Sequence, residues 1–290
     1  MPHPFYILDV FADRAYAGNQ LAVVTHADDL ATETMQLIAA ETNYSETTFV
    51  NAVPEADGGY RVRLFTPARE LAFAGHPLVG TAWAIRRFME PDASGPVRLN
   101  LQLGQVPVRF EAGETGETLW FRAPEVSLGA TCPREAMATA LGIDPEDIDP
   151  ATPVRQAAAG TAAMIVPLRS LSALKRSRLN LEAYAPLLAQ GFPPLTYLFT
   201  RETHDAASDL CVRFFFEAHG VREDPATGNG AAFLGAYLLE YGRADVDLRI
   251  EQGHEVRRPS RVRLRARKVD GTPEIEVGGQ TVLTVRGELV

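Results

Sequence analysis

Short apolar runs recur along the chain, and two of the apolar stretches are longer and led by glycine. In the first half, Leu21 to Val24 follows Ala17-Gly18, a helix-like segment spans Thr32 to Ala40, and Val62-Arg63-Leu64-Phe65 reads as a strand. Phe73-Ala74-Gly75-His76-Pro77 then opens a helix, with Leu78, Val79, Ala82, Ile85 and Phe88 at helical spacing. The second half runs in the same order: Ala162 to Val166 after Ala159-Gly160, Glu182 to Gln190, and Val212-Arg213-Phe214-Phe215. A helix follows from Asp224-Pro225-Ala226-Thr227-Gly228-Asn229-Gly230 through Leu239, with Gly242 placed to cap it.

The two halves match at an offset of 150 over the helix-like and strand-like segments, with Phe49 answering Phe199, and at an offset of 142 near the first glycine turn. Each half therefore reads as strand, glycine turn, strand, helix, strand, strand, glycine-led helix. Chance matching of short apolar strings is the competing account, and only the preserved order argues against it. The pattern predicts a mixed α/β (α+β) chain of two similar domains, 1–125 and 126–290. The boundary falls between Ala123 and Pro153, where Pro124, Gly129, Pro133 and the Asp144-to-Pro153 stretch break periodicity around one short helix.

Composition changes the picture mainly by exclusion. With 28 basic and 37 acidic residues the net charge is −9, which opposes nucleic acid and anionic membranes. No apolar run approaches the roughly 20 residues of a membrane span, and Met1-Pro2-His3-Pro4 lacks a basic region followed by an apolar stretch. The chain reads as cytoplasmic. Cys132 and Cys211 are too few for a thiolate metal cage or a disulfide framework, and reduced thiols are expected. Zinc patterns, phosphate loops, dinucleotide fingerprints and two-cysteine redox motifs are absent, so no cofactor is implied.

The glycine-led helix starts carry the candidate chemistry. Unpaired N–H groups and the positive dipole end suit an anion, most simply a substrate carboxylate. Taken alone, Gly75 and Gly228 read equally well as tight turns, and Asp224 as a helix cap. Ionisable groups lie close by. His76 is in the first start, Asp224 precedes the second, and Glu46 opens an apolar strand in Tyr44-Ser45-Glu46-Thr47-Thr48-Phe49. A half-buried Glu46 would be placed for acid/base work, and its repeat partner Thr196 means that the strand itself does not require an acid. Singly, Glu46 also reads as a solvated loop acid and His76 as a structural histidine.

Seven segments in order resemble the phenazine biosynthesis PhzF-like family nearly end to end. They are Asp9-Val10-Phe11, Gly18-Asn19-Gln20-Leu21-Ala22-Val23, Ser45-Glu46-Thr47-Thr48-Phe49, Phe65-Thr66-Pro67, Glu70 to Gly75-His76-Pro77, Glu223-Asp224-Pro225-Ala226-Thr227-Gly228 and Arg258-Pro259-Ser260. The resemblance implies a diaminopimelate-epimerase-like fold, two similar domains each with a mixed sheet around a central helix, and an active site in the cleft between them. Closure of that cleft around substrate would dry the site. It suggests a homodimer and leaves open which domain the last strand, Thr281 to Arg286, joins.

Relatives with this architecture, the diaminopimelate epimerases and proline racemases, place a cysteine on each side of the substrate. This chain has Ala74 before Gly75-His76 and Thr227 before Gly228, so a two-thiol racemase is excluded. The best-understood family member isomerises trans-2,3-dihydro-3-hydroxyanthranilic acid without a cofactor, and Glu46 matches its proton-moving glutamate. His76 and Asp224 match the accompanying histidine and aspartate. The resemblance thus implies a cofactor-free isomerase of a small carboxylate with Glu46, His76 and Asp224 catalytic. Ser45, Gly75, Thr227, Gly228, Asn229 and Gly230 would bind substrate, and no metal is involved. Asn229 departs from the family serine, which bears on specificity. A non-catalytic small-acid-binding or interaction protein in the same shell is the alternative.

One further feature is a strand-like run in which Arg261, Arg263, Arg265 and Arg267 alternate onto one face. It reads either as an anion or nucleic-acid patch or as a solvated sheet face paired with acids, and the net charge favours the second.

Overall fold

A computed structural model describes residues 2–113, 116–216 and 221–290 and divides the chain into two compact units, Met1–Arg122 with Gly278–Val290, and Ala123–Val277. The first unit runs β1 (His3–Val10), β2 (Asn19–Thr25), α1 (Thr32–Thr42), β3 (Glu46–Val50), β4 (Tyr60–Phe65), β5 (Glu70–Leu71) and α2 (Gly75–Ala84). A π-helical turn at Ile85–Met89 and strands β6 (Val97–Leu101), β7 (Gly104–Gly113) and β8 (Gly116–Arg122) follow. The second unit holds β9 (Ser127–Cys132), α3 (Arg134–Leu141), β10 (Val154–Ala159), β11 (Thr161–Pro167), α4 (Leu171–Arg176) and α5 (Leu181–Ala189). It continues through β12 (Leu195–Thr200), β13 (Leu210–Phe216), β14 (Val221–Asp224), α6 (Gly228–Glu240), β15 (Asp245–Gln252), β16 (Ser260–Val269) and β17 (Thr272–Gly279). The final strand, β18 (Thr281–Leu289), pairs antiparallel with β1 from His3↔Leu289 to Val10↔Thr281.

Strand pairing repeats in kind. In the first unit β1–β2 is antiparallel, β2–β3 parallel, β3–β4 antiparallel and β4–β6 parallel. In the second, β10–β11 is antiparallel, β11–β12 parallel, β12–β13 antiparallel and β13–β15 parallel. The internal repeat is therefore one of hydrogen-bonded topology as well as apolar pattern. Mixed sheets with parallel pairs need covering on both faces, and the glycine-led helices provide one cover. Every residue of α2 except Trp83 is buried, as is every residue of α6 except Asn229 and Glu240. A helix apolar on all sides belongs inside, so each serves as the central helix of its unit. Close approach is visible at Gly230, where a Cβ would fall 2.4 Å from the Tyr197 ring.

Smaller cores lie under the peripheral helices. Met35 and Ala39 of α1 pack with Val24, Phe49 and Phe65, while α3, α4 and α5 bury Met137, Leu141, Leu174, Tyr184 and Leu187 with Leu198 and Phe215. The turn between β1 and β2 requires glycine. Gly18 has φ +66° and a Cβ there would sit 2.3 Å from the Val10 carbonyl oxygen, so no side chain fits.

The structure departs from the sequence pattern in three places. Helical spacing through Phe88 continues as a π-turn after Ala84, because the chain widens at Ile85–Met89. The stretch around Gly129 forms strand β9, paired with β10, rather than a break in structure. Strands also follow each glycine-led helix. Much of β7 is exposed, so its alternation carries little apolar signal. No helix among the described residues is long and apolar enough to cross a membrane.

Candidate active site

Glu46 is the first residue of β3, where Leu21 of β2 is its parallel partner, and His76 is the second residue of α2. A hydrogen bond of 2.8 Å between the Thr48 and Thr81 hydroxyls ties β3 to α2 through the buried interior. A second, also 2.8 Å, joins Thr47 to Thr42 at the end of α1. These ties fix the strand against both helices and bring Glu46 Oε2 to 3.5 Å from His76 Nδ1. Asn19, which opens β2 directly after the Gly18 turn, places its side-chain Nδ2 3.4 Å from the same Nδ1. Both separations are at the long limit of hydrogen bonding.

Burial governs this histidine. Only 6% of the His76 side chain is exposed, and loss of solvent pushes its pKa down to about 3 against the smaller opposing effect of a hydrogen bond with the Gln20 backbone. The imidazole is neutral at physiological pH, so its contact with Glu46 is not an ion pair. A neutral ring has one donor nitrogen and one acceptor. His76 Nε2 is buried and meets no hydrogen-bond partner among the described residues. Gly75, the preceding residue, is the first of α2, and Ala74 at the cap offers no side-chain acceptor to the helix's leading N–H groups. Ser45 lies just before β3, half-buried.

In the second unit Asp224 ends β14 and Thr227 caps α6. The Thr227 hydroxyl donates to Asp224 Oδ2. Gln252, the last residue of β15 and fully buried, braces the whole turn. Its Nε2 donates to the Asp224 carbonyl at 2.8 Å and to Thr227 Oγ1 at 3.1 Å, while its Oε1 accepts the Thr227 N–H at 3.1 Å. Gly228, Asn229 and Gly230 form the first turn of α6, with Asn229 the one residue of the three not buried. The leading N–H groups of these three residues have no acceptor within the helix.

An arginine–glutamate fork supports each glycine-led helix from the strand before it. Arg63 of β4 bonds Glu70 of β5 through Nε and Nη2, both at 2.7 Å, and Arg213 of β13 bonds Glu223 of β14 at 3.0 and 2.7 Å. Each guanidinium also lies over a phenylalanine two residues on, Phe65 at 5.1 Å and Phe215 at 4.6 Å. Arg213 is buried and donates further to the Leu174 and Ser177 carbonyls. Sequence reading aligned the two arginines but not their partners. It also passed over Asn19 and gave no signal for Gln252.

Both cysteines are free thiols and buried. Burial raises the Cys132 thiol to about 11 and pushes Cys211 up as well, assisted by Glu251 and Glu255. The arginines of β16 mostly face acids: Arg261 meets Asp205 at 2.6 Å, Arg265 meets Asp247 at 3.5 Å and Arg267 meets Glu274 at 3.3 Å.

The fold is of the diaminopimelate-epimerase-like class. A probable proline racemase from Agrobacterium radiobacter K84 superposes with a TM-score of 0.62 over 99% of this chain and 93% of that one, at 12% identity, a likeness of fold alone. The profile of the phenazine biosynthesis-like protein family matches residues 8–287, and the chain belongs to that family. A crystal structure of a Bacillus anthracis phenazine biosynthesis protein of the PhzF family has a TM-score of 0.91, 26% identity and coverage of 100% and 99% of the two chains. Trans-2,3-dihydro-3-hydroxyanthranilate isomerase of Pseudomonas aeruginosa is 32% identical over 289 residues, covering 98% of each chain. An uncharacterized isomerase of Pasteurella multocida is 33% identical over 289 residues, covering 99% of this chain and 94% of that one. These relatives support an isomerase function.

Proposed function

We propose that this protein is a cofactor-independent isomerase that relocates a proton on a small carboxylate-bearing substrate, with Glu46 as the proton carrier. The observation behind this reading is the Glu46–His76 pair, an acid beside a neutral imidazole at a helix start. The Glu46 carboxylate takes a proton from carbon, the C–H electron pair moves into an adjoining π system, and the same proton returns at the far end of that system. No electrons enter or leave overall.

His76 keeps one tautomer throughout. While Glu46 is ionised, Nδ1–H donates to it and Nε2 accepts from a substrate hydroxyl or amine. Once Glu46 holds the carbon proton, its unprotonated oxygen accepts from the same Nδ1–H. Asp224 handles exchange on substrate heteroatoms, a role taken from the family pattern. The leading N–H groups of α2 and α6, at Gly75 and at Gly228, Asn229 and Gly230, together with Ser45 and Thr227, hold the substrate's carboxylate and polar groups.

Isomerisation assays on small unsaturated or hydroxylated amino and carboxylic acids test the class. The panel includes trans-2,3-dihydro-3-hydroxyanthranilate, the compound named for the Pseudomonas relative. Conversion of one of them by metal-free protein is the expected result. Conversion that depends on an added metal or organic cofactor, or none across the panel, would overturn the reading.

A further inference from the structure

A cluster of metal-ligating side chains lies in the second unit, and neither the proposed activity nor the family pattern uses it. Parallel pairing of β13 with β15 sets Cys211 directly beside Glu251. The loop before β13 adds His204, and the turn after β15 adds His254 and Glu255. One ligand atom each from His204, Cys211 and Glu251 lies within 4.8 Å of the others. Glu255 Oε1 is 3.9 Å from His204 Nε2, and His254 Nε2 is 3.7 Å from Glu251 Oε2. We propose that His204, Cys211, Glu251 and Glu255 form a binding site for a zinc-class divalent cation that fastens the 201–209 loop to the sheet.

Donor chemistry selects the cation class. Imidazole nitrogen, thiolate sulfur and carboxylate oxygen together suit a borderline-soft tetrahedral ion far better than calcium or magnesium, which take oxygen. Tetrahedral ligation puts donor atoms about 3.3–3.8 Å apart, so the cluster must draw in by about 1 Å. The stacked rings of His204 and His254, 4.0 Å apart and 8° from parallel, divide the labour. An imidazole lone pair lies in its ring plane, and one ion cannot occupy both planes. His204 is therefore the ligand, while His254 holds the Glu251 carboxylate from outside.

The backbone N–H groups of His204 and Asp205 hold the Glu251 carboxylate in place. Cys211 is a free thiol on the strand beside this carboxylate, and a bound cation displaces its proton. Arg213 forks onto Glu223 and its Nε also lies 3.9 Å from Glu255 Oε2, so one guanidinium is shared between these two glutamates. Glu255 Oε2 is buried and makes no hydrogen bond among the described residues, with Arg213 Nε 3.9 Å away. The motif is invisible to a scan for short spacings because its members are spread from residue 204 to 255.

Equilibrium dialysis of the metal-free full chain against Zn²⁺, paired with Co²⁺ absorption spectra, tests the site. One ion per chain and a thiolate-to-cobalt charge-transfer band are expected, and Cys211→Ser should abolish the band. Because Cys211 is buried, His204→Gln provides an independent arm: its side chain reaches solvent, and zinc affinity should fall at least tenfold with the fold intact. Loss of zinc should also lower Tm and leave the 201–209 loop open to protease. A missing charge-transfer band, or affinity unchanged in His204→Gln, would overturn the proposal, and either result would mean surface binding only.

Discussion

Glu46 Oε2 and His76 Nδ1 lie 3.5 Å apart at the adjoining starts of β3 and α2. If Glu46 carries the migrating proton, Glu46→Gln removes the carrier and keeps the shape. Turnover should fall by about 10²–10⁴-fold, in the range of positioned acid/base groups, with the circular dichroism spectrum and Tm preserved. A steady-state assay alongside thermal melts checks both halves.

Buried His76 also makes stability depend on pH. Its pKa is about 3 in the folded chain against the ordinary histidine value of 6.5, so below pH 6.5 the unfolded state binds a proton that the folded state does not. This contribution to stability is fully present above pH 6.5 and is lost progressively as pH falls towards 3. Between pH 6.5 and 5 the loss is about 2 kcal/mol. Urea titrations at several pH values should show that slope, and His76→Asn should flatten it.

Gln252 positions Asp224 and Thr227 without reaching the reacting atoms in the proposed mechanism. Gln252→Leu leaves the Thr227 N–H and the Asp224 carbonyl without their buried partner, at about 1–3 kcal/mol for each unpaired group. Turnover should fall with KM changed less than kcat, whereas Gln252→Glu, which keeps an acceptor for the Thr227 N–H, should retain more activity than Gln252→Leu.

The Arg213–Glu223 fork predicts an asymmetric response. Arg213→Met strands a buried carboxylate next to Asp224 and should cost about 3–5 kcal/mol in denaturant unfolding. Replacing both members with apolar residues should recover part of that loss, since the Glu223 charge goes too, while Glu255 and the Leu174 and Ser177 carbonyls still lose Arg213. Equal losses in single and double variants would show that the fork acts otherwise.

Local pattern made much of this legible. α1 spans Thr32–Thr42 and α5 spans Leu181–Ala189, close to the segments read from apolar spacing, and α2 begins at Gly75 and α6 at Gly228. These elements announce themselves because glycine and apolar periodicity are local signals. Family motifs brought Glu46, His76 and Asp224 forward by type and order. What stayed hidden depends on long-range contact: Gln252 is 28 positions from Asp224, and Asn19 is 57 from His76. Strands such as β7 were missed because exposure leaves them without an apolar face. The Arg213–Glu223 pair looks like ordinary surface charge until tertiary structure buries it.

Proton exchange in D₂O, followed by NMR, tests the central claim most directly because it needs no net turnover. Wild type and Glu46→Gln are compared on the same panel of unsaturated and hydroxylated acids. The account predicts that wild type introduces deuterium at carbon in at least one compound and that Glu46→Gln does so at least about 10²-fold more slowly. Equal exchange by both proteins would remove Glu46 from the proton's path.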